Sequence, residues 1–266
     1  MEPAASPGVQ VEVPAADHEL AADLATRAGE LLLALRAAAG PAAAARQVLR
    51  DDGDRRSHRF LVDALAAARP MDCVLSEEGV DDPRRLIAER VWIIDPLDGT
   101  REFGEAGRDD WAVHVALVVG GYLAAGAVAL PALGLTLSTA TPPLVPPAPA
   151  GVPPRLVVSR TRPPPVAVRI AAALDAEVLP MGSAGAKAMA VVSGTADVYA
   201  HAGGQYEWDS AAPAAVALAA GLHISRIDGT ELAWNKPDPW QPDLLVCRRE
   251  LAEAVLAVVH AAPVAD

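Results

Sequence analysis

A chain of 266 residues with 52% apolar and 21% charged side chains is long enough for a sizeable core and too apolar for a disordered segment. A formal charge of −12 excludes a nucleic-acid polymer as partner, which calls for a basic stripe, yet permits a small anionic substrate if metal ions neutralise it locally. No long apolar run escapes charge, proline or glycine, and the opening segment lacks a basic stretch leading an apolar one, so neither a membrane span nor a secretory signal is expected. Cys73 and Cys247 lie far apart and outside ligand spacing, which reads as a cytoplasmic protein with reduced, buried thiols.

Residues 17–38 place Leu20, Leu24, Ala28, Leu31, Leu32 and Leu35 at helical spacing, and Gly40-Pro41 should end that helix. A second helix is expected from about residue 54 to 68, with Phe60, Leu61 and Leu65 on one side and Pro70 as its stop. Short β-rich runs follow at Cys73–Ser76, 91–95, 111–119 and Tyr122–Leu130, the last two joined by a Gly120-Gly121 turn. Two helices followed by these strands predict an antiparallel sheet covered by helices on one face. Residues 140–165 are dense in proline and mark the clearest boundary. Beyond them strands at Arg155–Ser159, 197–201 and 244–247 alternate with helices at 164–174, Ala184–Val192, 208–220 and 251–261. The predicted organisation is an α+β half over residues 1–140 and an α/β half over 155–266, together forming one unit.

The sharpest motif is WIIDPLDGT at 92–100. An apolar run carries Asp95 to a strand end, Pro96 breaks the ladder, Asp98 follows, and Gly99-Thr100 opens a turn. Two carboxylates aimed at one spot repel each other unless a cation intervenes, and hard oxygen donors are what Mg²⁺ selects. Gly99 lets the backbone approach a ligand closely, and successive N–H groups there could cradle phosphate oxygens. An ordinary capped Asp-Gly turn would look the same. Upstream, Ser76-Glu77-Glu78 follows the apolar run CVL. Downstream, EWDSAAP at 207–213 puts Asp209 at the start of an Ala-rich helix, where N-capping is the plainer role.

In this order and at these separations, SEE, WIIDPLDGT and WDSAAP resemble the inositol monophosphatase superfamily of lithium-inhibited phosphatases, over roughly residues 17–247. The resemblance implies a layered αβαβα sandwich, in agreement with the α+β then α/β order of elements. It implies that Glu77, Asp95 and the carbonyl of Leu97 hold one Mg²⁺, that Asp95, Asp98 and Asp209 hold a second, and that Glu77 helps to hold a weaker third. It further implies that Thr100 and an acid on the second helix orient the attacking water. Asp54 is the best match for that acid, but Asp51-Asp52-Gly53 stands where the family carries Val-Thr, so Asp51 and Asp52 stay open.

The family acts on inositol phosphates, fructose 1,6-bisphosphate, histidinol phosphate and 3′-phosphoadenosine 5′-phosphate. GSAGAKAMAVVSGTADVYAH at 182–201, with REF after DGT and GRDDWAVHVAL at 107–117, looks similar to bisphosphate nucleotidases of the CysQ type, in particular actinobacterial ones. That likeness implies hydrolysis of 3′-phosphoadenosine 5′-phosphate, a by-product of sulfate activation. Lys187 is the candidate cation for its second phosphate, with Ser183, Arg101, Gly99 and Thr100 as further substrate contacts. A sugar phosphatase is the runner-up and a non-catalytic phosphate sensor the remote alternative. Tyr206 and Trp208 could stack on a base, although core packing suits Trp208 better. His114 reads as a satisfied strand residue; His18, His58, His223 and His260 show no paired zinc spacing. Relatives are often dimers, and the apolar first half could supply such an interface.

Overall fold

The computed structural model of the chain describes residues 11–39 and 46–261. The expected Gly40-Pro41 helix stop and most of the lead-in lie outside the described residues. In chain order, helices α1 (Ala15–Ala39) and α2 (Arg46–Ala68) precede strands β1 (Cys73–Ser76) and β2 (Arg90–Asp98), then the short α3 (Thr100–Phe103). Strands β3 (Ala112–Val119), β4 (Tyr122–Leu130) and β5 (Leu135–Ser138) complete the first half. The second half runs β6 (Arg155–Ser159), α4 (Pro165–Leu174), β7 (Glu177–Met181), α5 (Ala184–Val192), β8 (Val198–Tyr206), α6 (Glu207–Ala219), β9 (His223–Ser225), β10 (Trp240–Cys247) and α7 (Arg249–His260).

The first sheet has the order β1-β2-β3-β4-β5 and is mixed, not purely antiparallel: β1 pairs parallel with β2, with Cys73 opposite Val91. It is also covered on both faces, which corrects the expectation of one. Trp92 and Ile94 on β2 pack with Leu24, Leu32, Leu61 and Leu65 of α1 and α2. The alternate residues Val91 and Ile93 face the middle layer of α5 and α6, among Met189, Val191 and Ala215. Burial on both sides is why RVWII and AVHVALVV read as unbroken apolar runs rather than alternating ones.

The second sheet, β7-β6-β8-β10-β9, lies on the far side of α5 and α6. Its outer face is closed by α4 and α7, where Ile170 and Val255 meet Leu156, Val198 and Leu245. The layers are therefore helix, sheet, helix, sheet, helix. Cys73 is half-buried and Cys247 buried, both free; burial pushes the Cys247 thiol up to about 12, so it is unreactive.

Helix α2 is already formed at Arg46, ahead of the expected start at about 54. Asp51, Asp52 and Asp54 are thus helical residues, not a solvated turn. Gly53, a poor helix former, is kept there by packing: an added Cβ would lie 2.9 Å from both Leu97 Cδ2 and Phe103 Cε1. That close approach draws α2 onto the turn after β2.

Candidate active site

Strand β2 delivers the DPLDGT turn to the edge of the middle layer. A register break between Asp95 and Asp98, imposed where Pro96 cannot donate to the ladder, turns both carboxylates out of the pleat alternation. The turn is pinned from several sides. Asp95 Oδ1 accepts the Leu97 N–H at 3.0 Å, and Ser57 Oγ of α2 donates to the Pro96 carbonyl at 2.7 Å. Gly99 has φ +84°, and a Cβ there would sit 3.1 Å from Ser183 Cβ and 3.3 Å from the Asp110 carbonyl. The glycine is needed twice, for its backbone angle and for its lack of a side chain.

Ligand oxygens of Asp95, Asp98 and Asp209 converge within 4.8 Å of one another. Asp209 comes from the first turn of α6, where its Oδ2 accepts the Tyr206 N–H at 2.6 Å. Pro213 stands four residues on and has no N–H to offer the Asp209 carbonyl. Glu77 follows β1, its N–H donating to the Ile94 carbonyl at 3.4 Å. Its carboxylate is not one of the three that converge; Glu77 is exposed and meets the cluster through Asp95.

The electrostatics are those of crowded acids without a countercharge. Burial, followed by the charges of Glu77, Asp98 and Asp209, raises Asp95 well above the usual carboxylate range. Desolvation and the charge of Asp209 push Glu77 up to about 7, and desolvation with Asp98 pushes Asp209 up to about 6. Asp98 behaves oppositely. Burial would raise it, but the His114 ring and the Ser183 hydroxyl outweigh that and hold it below its ordinary value. An oxygen-only donor set whose members repel one another when ionised suits a hard divalent cation.

Thr100 Oγ1 can donate to Asp54 Oδ1 at 3.3 Å or to the Leu97 carbonyl at 3.1 Å. Of the three acids left open by sequence, Asp54 is the one that meets Thr100. Asp51 accepts from Gln47 on the surface, and Asp52 pairs with Arg55. Burial and the charge of Glu78 raise the Asp54 carboxyl to about 7.

The structure places the proposed substrate contacts differently. Ser183 spends its hydroxyl hydrogen on Asp98 Oδ2, 2.5 Å away, while the same oxygen accepts the Ala186 N–H at 2.9 Å as the N-cap of α5. Asp98 also accepts the N–H groups of Ala184 at 3.1 Å and Gly185 at 2.6 Å. Lys187 is 5% exposed, and its ammonium donates to the carbonyls of Gly182 at 3.0 Å and Ser183 at 2.5 Å, 5.4 Å from the Tyr199 ring centre. Lys187 and Ser183 therefore build the turn that grips Asp98, and both are buried. Arg101 is exposed on α3, its carbonyl taking the Arg50 guanidinium at 3.1 Å. Tyr206 is 44% exposed and stacks on the half-buried Trp208 at 4.7 Å, while Trp208 packs on the central core.

Sequence reasoning missed the acids and base behind the turn. The Gly182 N–H donates to Asp110 Oδ2 at 2.5 Å, and Glu102, buried against Gly182, takes Arg160 at 2.6 Å. The signal was available in part: REF and GRDD carry charges inside otherwise apolar surroundings. A separate, mainly apolar cleft of about 1170 Å³ opens between the β3–β4 turn and α7, and it contains none of the clustered acids.

Comparison with known proteins agrees with this geometry. The pattern of the inositol monophosphatase family matches residues 17–142 and 156–263. Over 258 residues the chain is 52% identical to a 3′-phosphoadenosine 5′-phosphate phosphatase of Mycobacterium leprae, covering 92% of this chain and 93% of the relative. It is 32% identical over 197 residues to the 3′(2′),5′-bisphosphate nucleotidase CysQ of Escherichia coli, covering 68% and 78%. Among solved structures, inositol monophosphatase II of Staphylococcus aureus superposes with a TM-score of 0.76 at 19% identity, over 91% of this chain and 95% of that one. With the αβαβα layering, the acidic cluster and a family pattern matched along most of its length, the chain belongs to the inositol monophosphatase family.

Proposed function

We infer that this chain is a Mg²⁺-dependent phosphomonoesterase that hydrolyses 3′-phosphoadenosine 5′-phosphate to AMP and phosphate. The observation that carries the reading is the convergence of Asp95 and Asp98 from one half of the chain with Asp209 from the other, in a protein 52% identical to a phosphatase of that substrate. The two halves thereby form one catalytic unit. Asp95, Asp98 and Asp209, joined by Glu77 and the Leu97 carbonyl, would hold two to three ions. When bound, Mg²⁺ supplies Lewis-acid charge at the phosphoryl oxygens and at the attacking water.

The chain's own residues then orient that water. Because the Thr100 hydroxyl gives its hydrogen to Asp54 or to Leu97, its oxygen is left free to accept a hydrogen from the water. The water oxygen is left pointing at phosphorus. Asp54, with its carboxyl raised to about 7, is matched to take the proton that is released. Lys187 and Ser183 act one step back, by fixing the turn whose N–H groups hold Asp98. Exposed Arg101 at the rim of the DPLDGT turn offers a guanidinium to the nucleotide's phosphate.

A phosphate-release panel with Mg²⁺ tests the assignment. The nucleotide bisphosphate is expected to turn over at least about tenfold faster, by kcat/KM, than inositol 1-phosphate or fructose 1,6-bisphosphate, a difference of about 1.4 kcal/mol in the barrier. LiCl is expected to inhibit by competing for the most weakly held cation position. Faster turnover of inositol 1-phosphate would replace the nucleotide reading with a sugar-phosphate one.

A further inference from the structure

A cation between Asp98 and Asp209 is held only as well as the spacing of those two carboxylates is fixed, and they belong to opposite halves of the chain. Each has its own anchor. Asp98 is gripped by the N-terminal turn of α5, and Asp209 hangs from the first turn of α6. His114, in the middle of β3 and 0% exposed, touches both units. Its Nδ1 donates to the Trp208 carbonyl at 2.9 Å, one residue before Asp209, and its Nε2 lies 3.2 Å from Asp98 Oδ2.

The chemistry of these contacts is specific. The Trp208 carbonyl only accepts, so the ring's Nδ1 carries the hydrogen of that bond. Nε2 makes no hydrogen bond of its own and lies against Oδ2 at 3.2 Å, so the ring is wedged between Asp98 and the start of α6. The neighbouring helix makes room for the ring: a Cβ on Gly185 would fall 2.0 Å from His114 Nε2. Oδ2 of Asp98 thus meets the Ser183 hydroxyl, the Gly185 N–H and the imidazole, while Oδ1 meets the Ala184 N–H alone among the described residues. Oδ1 is the oxygen with capacity left for a cation.

We propose that His114 is a positioning residue of the metal centre, tying the Oδ2 edge of Asp98 to the first turn of α6 so that Asp98 Oδ1 and the Asp209 carboxylate face one ion. The proposal rests on reading both acids as metal ligands. Partners of this kind behind a ligand are worth about 10–100-fold in metal affinity.

Mn²⁺ binding to the purified full-length protein, followed by electron paramagnetic resonance of the free ion, reads the effect without turnover. His114→Gln is expected to weaken Mn²⁺ by about 10–100-fold. Val115→Ala, a neighbouring strand residue whose side chain packs with α1 and α2 instead, serves as the control for general loss of packing. It is expected to lower the melting temperature while leaving Mn²⁺ affinity within about twofold. Should His114→Gln fail to fold, His114→Asn carries the same comparison. A folded His114 variant that binds Mn²⁺ as tightly as the parent overturns the proposal, as does a Val115→Ala variant that loses as much affinity. A parent protein that binds no Mn²⁺ overturns the functional reading first, and this proposal with it.

Discussion

Asp95→Asn is expected to lower hydrolysis of 3′-phosphoadenosine 5′-phosphate by on the order of 10²–10³-fold at saturating Mg²⁺, equivalent to about 3–4 kcal/mol of transition-state stabilisation. The size follows from position. Asp95 is 1% exposed and sits where Glu77, Asp98 and Asp209 all act on it. The amide keeps the shape and can still accept the Leu97 N–H, but it removes a negative charge from the site that is to hold the cations. Fold damage predicts something else. With metal removed, Asp95 sits among acids that oppose its ionisation, so a neutral amide should cost no stability and the variant should melt no lower than the parent in a chelator. Loss of activity with an unchanged or raised melting temperature separates a ligand role from a structural one. A variant that keeps near-parental turnover would remove Asp95 from the metal centre.

Much of this site was legible in the sequence because its acids announce themselves against an apolar background. Asp95 and Asp98 end a run that has no reason to carry charge unless something binds there, and Asp209 interrupts an Ala-rich helix. The choice among Asp51, Asp52 and Asp54 was not legible. It depends on which face of α2 meets Thr100, a contact across the fold that local pattern does not show.

The setting of Lys187, expected as a substrate contact, was illegible for a related reason. A lysine near a phosphate-binding turn reads as a phosphate ligand, yet the same residue can hold backbone carbonyls, as it does here. Sequence cannot distinguish an ammonium facing solvent from one facing the Gly182 and Ser183 carbonyls. The first sheet shows the converse case. Its unbroken apolar strands already implied cover on both faces, and the prediction of one covered face undervalued that signal.

The metal-free protein is expected to lose stability as pH rises from 5.5 to 8, the reverse of what paired carboxylates produce. Asp209 titrates at about 6 and Glu77 at about 7 in the folded chain, against roughly 4 for an unfolded carboxylate. Between those values the folded form keeps protons that the unfolded form has released, so each step up in pH favours unfolding. Asp209 alone, at about 6 in the folded chain, loses about 1 kcal/mol of stability between pH 5.5 and 8, or roughly 2–4 °C in Tm for a chain of this size. Asp98, held low by His114, works in the other direction, but its contribution is lost only as pH falls below the ordinary carboxylate range, outside this window. Mg²⁺ should cancel the trend, because cations replace protons as the countercharge and compete with them for the same oxygens. Thermal melts in EDTA and in MgCl₂ at both pH values measure all of this together. The expected result is a higher Tm at pH 5.5 than at pH 8 in EDTA, and a larger Mg²⁺-induced rise at pH 8. A metal-free Tm that climbs with pH, or a Mg²⁺ effect as large at pH 5.5 as at pH 8, would mean that the four acids do not share one cation-binding space.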